Sequence, residues 1–262
     1  MRTAANTFDE NIAQWTEEQK QPWGQLKYKL TQSNLARHLL EGGSELRVLD
    51  AGGGNGVDSI ELAKRGHRVD IVDYSTEMLA DAENRAITSG VADRVTIHHS
   101  SLDDIPNVFE PGHFDLVLCH NVISYVTDVS ALLSMLVSLL KSGGLISVVG
   151  VNRYSIPYHA AFLGGDLAGA LTKLDASSVR SYIFGTTVTT FSAEDVVTML
   201  NDAGCHSEQD YGIRCICDYW GDNERKLQPE IFEQIERLEF ALTGKYPYKL
   251  LARYFQVIAR KN

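Results

Sequence analysis

The sequence lacks any apolar run long enough to cross a bilayer. A spanning helix needs about 20 consecutive apolar residues, and the longest candidate, Ala131 to Leu140, is interrupted by serines. The opening Met1-Arg-Thr-Ala-Ala-Asn-Thr-Phe-Asp has no apolar h-region, so it does not read as a secretory leader. Positive charge is in short supply. With 24 Lys and Arg against 34 Asp and Glu, the net charge of −10 excludes nucleic-acid binding through bulk charge and leaves only a local basic patch for such a contact. Cysteine is scarce too, and Cys119, Cys205, Cys215 and Cys217 show neither zinc nor redox spacing. Cys215 and Cys217 are read onto one face of a strand, and all four are expected to be buried, reduced thiols of a cytoplasmic protein. Repeats and low-complexity segments are absent.

What is present suits one large domain with an added cap. The 262 residues are 44% hydrophobic and 22% charged, which is enough to build a core and excludes wholesale disorder. From Leu46 to Val151, short apolar runs alternate with amphipathic stretches. Strands are expected at Leu46 to Asp50, Arg68 to Asp73, Val95 to His98, Phe114 to Cys119 and Leu145 to Val151. Helices are expected over Val57 to Lys64, after an N-cap at Ser75, and over Asp128 to Lys141, the last ended by Gly143-Gly144. Strands alternating with helices mean a parallel sheet covered on both faces, a doubly wound α/β fold. Residues 1–45 read as an N-terminal helical cap, 46–151 as the ligand-binding core, 152–192 as a lid and 193–262 as the C-terminal part of the sheet. That last part holds a helix over Ala193 to Asp202, strands over Ser207 to Cys217 and Arg253 to Arg260, and a helix around Pro229 to Thr243. A late antiparallel pair at the sheet edge suits that order.

The chemistry should gather at the carboxyl ends of the strands, where open parallel sheets bind ligands. Asp50-Ala-Gly-Gly-Gly-Asn-Gly56 follows the first strand, and its glycines let the backbone turn tightly against a ligand. The competing reading is a bare glycine turn. Val57 stands where a dinucleotide fingerprint needs glycine or alanine, and no P-loop Lys-Ser/Thr follows. Asp73 ends the second strand, where a carboxylate accepts hydrogen bonds from ribose hydroxyls. Ser101-Leu-Asp-Asp104 follows the third strand, either as a receiver for an adenine amino group or as an ordinary acidic loop. His120-Asn121 ends the fourth, and a lone histidine there is as readily structural as functional.

Taken together, Asp-x-Gly-x-Gly-x-Gly, the acid ending strand two, Leu-Asp after strand three and Phe-Asp-Leu-Val in strand four resemble the class I S-adenosylmethionine-dependent methyltransferases over residues 46–151. The resemblance implies Gly52, Gly53 and Gly54 beside the methionine end of S-adenosyl-L-methionine, Asp73 on its ribose, and Leu102 with Asp103 around its adenine. A narrower resemblance runs along most of the chain. Phe8-Asp-Glu-Asn-Ile-Ala, Trp23-Gly-Gln-Leu-Lys27, Val48-Leu-Asp-Ala-Gly-Gly-Gly-Asn-Gly, Gly212-Ile-Arg-Cys-Ile-Cys-Asp-Tyr219 and the tail with Ala252-Arg-Tyr-Phe are similar to the bacterial tRNA methyltransferases that esterify 5-carboxymethoxyuridine. In that family an arginine after Gly-Gln-Leu holds the cofactor carboxylate; here it is Lys27, which keeps the charge and loses the bidentate fork. His120 matches the family's histidine after strand four, and Arg214 its RNA-facing arginine. The family's lid is rich in Lys and Arg, whereas residues 157–192 here carry only Lys173 and Arg180.

The expected cofactor residues are therefore Lys27, Asp50, Gly52, Gly53, Gly54, Asp73, Tyr74, Leu102, Asp103 and His120. For the acceptor they are Arg214, Tyr125 and Arg153, and Tyr154, Tyr158 and Tyr182 either line its pocket or pack under the lid. The acceptor expected first is a carboxylate, by resemblance in tRNA. It is already ionised at neutral pH and needs a cation from Arg214, Arg153 or Lys27 rather than a base. A small metabolite methylated at oxygen or nitrogen is the alternative, for which His120 or His159 would be the base candidates. A non-catalytic cofactor-binding protein is a third reading, disfavoured because the glycines and Asp73 are intact. No catalytic base and no metal ligand is assigned.

Overall fold

The computed structural model describes residues 12–39, 43–180 and 187–262. Its strands are β1 (Arg47–Ala51), β2 (Arg68–Asp73), β3 (Val95–His99), β4 (Phe114–His120), β5 (Leu140–Val151), β6 (Ser178–Arg180), β7 (Thr187–Thr189), β8 (Cys205–Ile213) and β9 (Tyr254–Lys261). Its helices are α1 (Ile12–Lys20), α2 (Pro22–Ala36), α3 (Val57–Lys64), α4 (Thr76–Thr88), α5 (Ile105–Val108), α6 (Val129–Leu139), α7 (Ser155–Phe162), α8 (Leu167–Thr172), α9 (Ala193–Asp202), α10 (Asn223–Lys226) and α11 (Pro229–Leu242). Seven strands form one sheet in the order β3-β2-β1-β4-β5-β9-β8, and β6 and β7 form a separate hairpin. The first five pair in parallel, while β9 runs antiparallel between β5 and β8. The doubly wound α/β expectation holds. β9 is an inner strand, and β8 takes the edge.

Strand alternation explains the two-sided core. Val48, Val69, Ile71, Leu116 and Leu118 face α2, α3 and α4 on one side. Leu49, Val72, Val117 and Cys119 face α6 and α9 on the other. A sheet buried on both faces needs such near-continuous apolar runs. Local signals set the helix starts: the Ser75 side chain accepts from Met78 N, Asp128 from Ala131 N, and Ser192 and Asp195 form a reciprocal capping box. The two described N-terminal helices pack on the sheet's C-terminal end, where Leu26 and Leu30 of α2 meet Ile213 and Ile235.

Two boundaries differ from the sequence expectation. Helix α6 ends at Leu139, and Gly143-Gly144 lie within β5 instead of capping the helix. Leu140 pairs with Phe114 and Leu145 with Leu116, so the glycines serve a bulge that realigns β5, with Gly143 at φ +77°. Strand β8 stops at Ile213, because Arg214 at φ +63° turns the chain out of the sheet. Cys215 and Cys217 are therefore not on a strand face. All four cysteines are free and buried. Among the described residues no helix is long and apolar enough to cross a membrane.

Candidate functional site

Strand order reverses between β1 and β4, and the loops after these strands and β2 enclose a cavity of about 250 Å³. The glycine loop forms its floor. Gly52 (φ +71°) and Gly54 (φ +53°) take the left-handed conformation, and a Cβ on Gly52 would lie 2.6 Å from Val122 Cγ2. The loop is latched to the next strand: Gly54 N donates to Asp73 Oδ2 and Ser75 N to Asp73 Oδ1, both at 2.9 Å. Asp73 thus braces the loop while lining the cavity.

Three carboxylates, Asp50, Asp58 and Asp73, line this one space. Burial pushes the Asp50 carboxyl up to about 6, opposed by Ser59 and His120 and assisted by the other two acids. Asp58 Oδ2 lies 3.0 Å from His120 Nδ1, and His120 Nε2 lies 2.9 Å from Ser147 Oγ. Because a carboxylate only accepts, Nδ1 carries a proton, and both ring nitrogens are engaged. Asp58 Oδ1 is buried without a hydrogen-bond partner among the described residues.

The N-terminal helices supply the remaining wall. Gln19 Nε2 donates to Tyr28 OH at 2.6 Å, and Gln19 Oε1 accepts from Asn55 of the glycine loop at 3.1 Å. Lys27 lies outside the cavity lining and donates to Asn121 Oδ1, on the cavity wall, at 3.0 Å; burial lowers the lysine's pKa. A buried polar chain fixes α2 against the sheet. Gln256 Nε2 donates to Thr31 O and to Ser147 Oγ, and Asn34 Nδ2 donates to Gln256 Oε1 and Thr243 Oγ1. The network ties Lys27's helix to the His120 partner Ser147, with Asn34 Oδ1 its one buried atom lacking a hydrogen-bond partner among the described residues.

Beyond the cavity, Arg214 is buried against Asp218, with Nε donating to Oδ2 at 2.6 Å and Nη2 donating to Oδ1. Burial alone would lower the arginine's pKa, but the Asp218 charge raises it overall. The loop that follows is held by Glu239, whose carboxylate accepts from Cys215 N (2.6 Å), Ile216 N (2.9 Å) and Cys217 N (2.7 Å).

The comparisons agree with this geometry. A family model described as a methyltransferase domain matches residues 48–144. The tRNA 5-carboxymethoxyuridine methyltransferase of Escherichia coli K12 is 32% identical over 261 residues, spanning 98% of this chain and 94% of that one. The chain belongs to that methyltransferase family. A ubiquinone biosynthesis O-methyltransferase of Xanthomonas euvesicatoria is 30% identical over 137 residues, covering 52% of this chain and 56% of its own. Among solved structures, an S-adenosylmethionine-dependent methyltransferase of Thermotoga maritima, described as a possible histamine N-methyltransferase, aligns with TM-score 0.65 at 17% identity, covering 99% of this chain and 100% of that one. Geranyl diphosphate C-methyltransferase of Streptomyces coelicolor, solved with S-adenosyl-L-homocysteine, aligns with TM-score 0.57 at 19% identity over 88% of this chain and 78% of that one. These two share the fold.

S-adenosyl-L-methionine is the cofactor of this methyltransferase, and the residues present suit it. A cationic ligand with an ammonium donor answers the acidic lining and the orphaned Asp58 Oδ1. Of the residues expected around it, Asp50, Gly52, Gly53, Gly54, Asp73, Tyr74, Leu102 and His120 line the cavity. Lys27 reaches its wall through Asn121, and Asp103 is exposed outside it. Of the acceptor residues, Tyr125 lines the cavity and is 39% exposed. Arg153 is turned away, donating to Asp195 Oδ2 at 2.8 Å and Thr190 O at 3.2 Å. Tyr182 lies outside the described residues. Asp58, Gln19 and Tyr28 were not foreseen. Asp58 carries a faint signal as the first acid of the helix after the glycine loop; Gln19 and Tyr28 carry none, since only tertiary packing brings them here.

Proposed function

We propose that this methyltransferase esterifies a carboxylate on tRNA, the 5-carboxymethoxyuridine arm that its full-length relative is named for. The observation that carries the reading is the extent of likeness: 98% of this chain aligns with the tRNA enzyme, against 52% with the ubiquinone one. S-adenosyl-L-methionine supplies a methyl on a sulfonium, so that the acceptor oxygen bonds to carbon as the carbon–sulfur bond breaks, the pair stays on sulfur, and no proton moves. The protein's task is alignment of the reactants, a large contribution in such displacements. With both nitrogens of His120 engaged, the cavity offers no free imidazole base among the described residues, in keeping with an acceptor that is already ionised. His120 and Asp58 then hold the cofactor, Asp73 its ribose, Leu102 its adenine, and Lys27 its carboxylate end by way of the Asn121 wall.

Residues 152–192 act as a lid over the acceptor in this reading, and the protein works in the cytoplasm. A second reading has one observation in its favour. The lid displays Phe162, Leu167 and Leu171 to solvent, and its Lys173 is spent on Asp166 at 3.6 Å. Such a surface suits a small apolar acceptor better than a phosphate backbone. Methyl transfer from labelled S-adenosyl-L-methionine separates the two. Alkali-labile label in tRNA from a strain lacking its own esterifying enzyme supports the first, and label confined to a small-metabolite extract supports the second.

A further inference from the structure

Three cations surround a single half-buried ring, that of Tyr254. Lys27 Nζ lies 4.6 Å from the Tyr254 ring centroid, and the guanidinium carbons of Arg214 and Arg253 lie at 5.5 and 5.7 Å. They sit above the carboxyl end of β5, since Tyr254 pairs with both Val151 and Ile213, and Arg253 N donates to Arg214 O at 3.0 Å. Through Lys27 and Asn121 this cluster adjoins the cofactor cavity.

The three are not equally available. Asp218 fills the Arg214 fork, and Lys27 is committed to Asn121. Arg153, further off, is paired with Asp195. Arg253 makes no carboxylate pair among the described residues; its one side-chain hydrogen bond is a 3.3 Å contact from Nη1 to Ser155 Oγ. A half-buried guanidinium beside two other cations, with one nearby carboxylate already bidentate to Arg214, is poised for an anion. Burial lowers the pKa of both Lys27 and His159, and the Arg253 charge adds to that lowering in each case. Flanking it, Tyr219 makes edge contacts with Tyr158 and His159 at 6.0 and 5.5 Å. Those rings give a flat partner to an aromatic acceptor.

We propose that Arg253, rather than Arg214 or Arg153, grips the carboxylate of the acceptor, with Arg214 and Asp218 forming the fixed wall behind it. This rests on the carboxylate reading above. It adds a consequence: methylation cancels the charge that Arg253 holds, so the ester product leaves a site that binds the acid.

Two measurements test this separately from the tRNA reading. Phenoxyacetate carries the same aryl–O–CH2–COO⁻ arm, and its methyl ester is the uncharged control. Each is titrated into the S-adenosyl-L-homocysteine complex and followed by ligand-observed NMR. Arg253→Gln is expected to weaken phenoxyacetate by about 10- to 100-fold, the worth of one charge-assisted fork. Arg253→Lys should restore part of that affinity, and the ester should bind alike in all three proteins. Equal affinity for the acid in wild type and Arg253→Gln overturns the assignment, as does an equal loss for acid and ester. In parallel, tRNA carrying the carboxymethoxy arm is used as acceptor, and the expected change for Arg253→Gln is in KM for tRNA, with cofactor affinity unchanged. If wild type leaves that tRNA unmethylated while phenoxyacetate still depends on Arg253, the tRNA reading fails and the Arg253 site stands.

Discussion

Asp50→Asn should make the cofactor-free protein more stable at neutral pH while weakening its hold on the cofactor. Asp50 is 3% exposed, and burial raises its carboxyl from an ordinary 3.8 to about 6. A carboxyl whose pKa is raised on folding binds its proton more tightly in the folded state. Stability from this group is therefore present below about pH 4 and is lost as pH rises to about 6. A shift of roughly two units corresponds to about 3 kcal/mol. Asparagine is isosteric and carries no charge to desolvate, so it escapes that loss. Urea unfolding of both proteins across pH 4 to 7 gives the comparison. The variant should be no more stable than wild type near pH 4 and should gain about 2–3 kcal/mol on it by pH 7. Calorimetry at pH 7 should show S-adenosyl-L-methionine binding the variant at least about 10-fold more weakly, because a charge facing a cationic ligand has gone. A stability difference that does not change with pH refutes the burial argument. Unchanged cofactor affinity removes Asp50 from the site.

Other residues give sharper single outcomes. Asp73→Ala leaves the Gly54 and Ser75 N–H groups without acceptors, at about 1–3 kcal/mol each, and should cut cofactor affinity at least about 10-fold by calorimetry. Gly52→Ala forces an L-residue to φ +71° with its Cβ 2.6 Å from Val122 Cγ2, costing about 1–3 kcal/mol in a thermal melt and narrowing the cavity floor. Glu239→Gln sets an amide donor against one of the three N–H groups that Glu239 now accepts. It should destabilise by about 1.5–3 kcal/mol and lower turnover more than cofactor affinity, since it loosens the Arg214 loop rather than the cavity.

The parallel half of the fold was legible because its signals are local. Apolar alternation, the Ser75 cap and the glycine loop each declare themselves within a few residues, and the cofactor residues follow from strand ends in an open sheet. The boundaries that differed depend on distant partners. Gly143-Gly144 read as a helix stop until β4 showed that they serve the β5 register, and the turn after Ile213 depends on Glu239, 22 residues beyond Cys217. The same distinction governs the site. Asp50, Asp73 and His120 announce themselves by position. Gln19 and Tyr28 reach the cavity only because α1 and α2 fold across the sheet's end, and the choice among cations rests on which carboxylate each one finds. Arg153 and Arg214 both read as candidate cations in sequence; the structure pairs Arg153 with Asp195, 42 residues away, and Arg214 with Asp218.

Methyl transfer to a carboxylate arm in tRNA is best tested by nucleoside mass analysis. Undermodified tRNA is incubated with the enzyme and S-adenosyl-L-methionine, digested to nucleosides and compared before and after mild alkali. The expected result is a single nucleoside heavier by one methylene, restored to the free acid by alkali. A methyl that survives alkali, or tRNA left unchanged while a small metabolite is methylated, contradicts it.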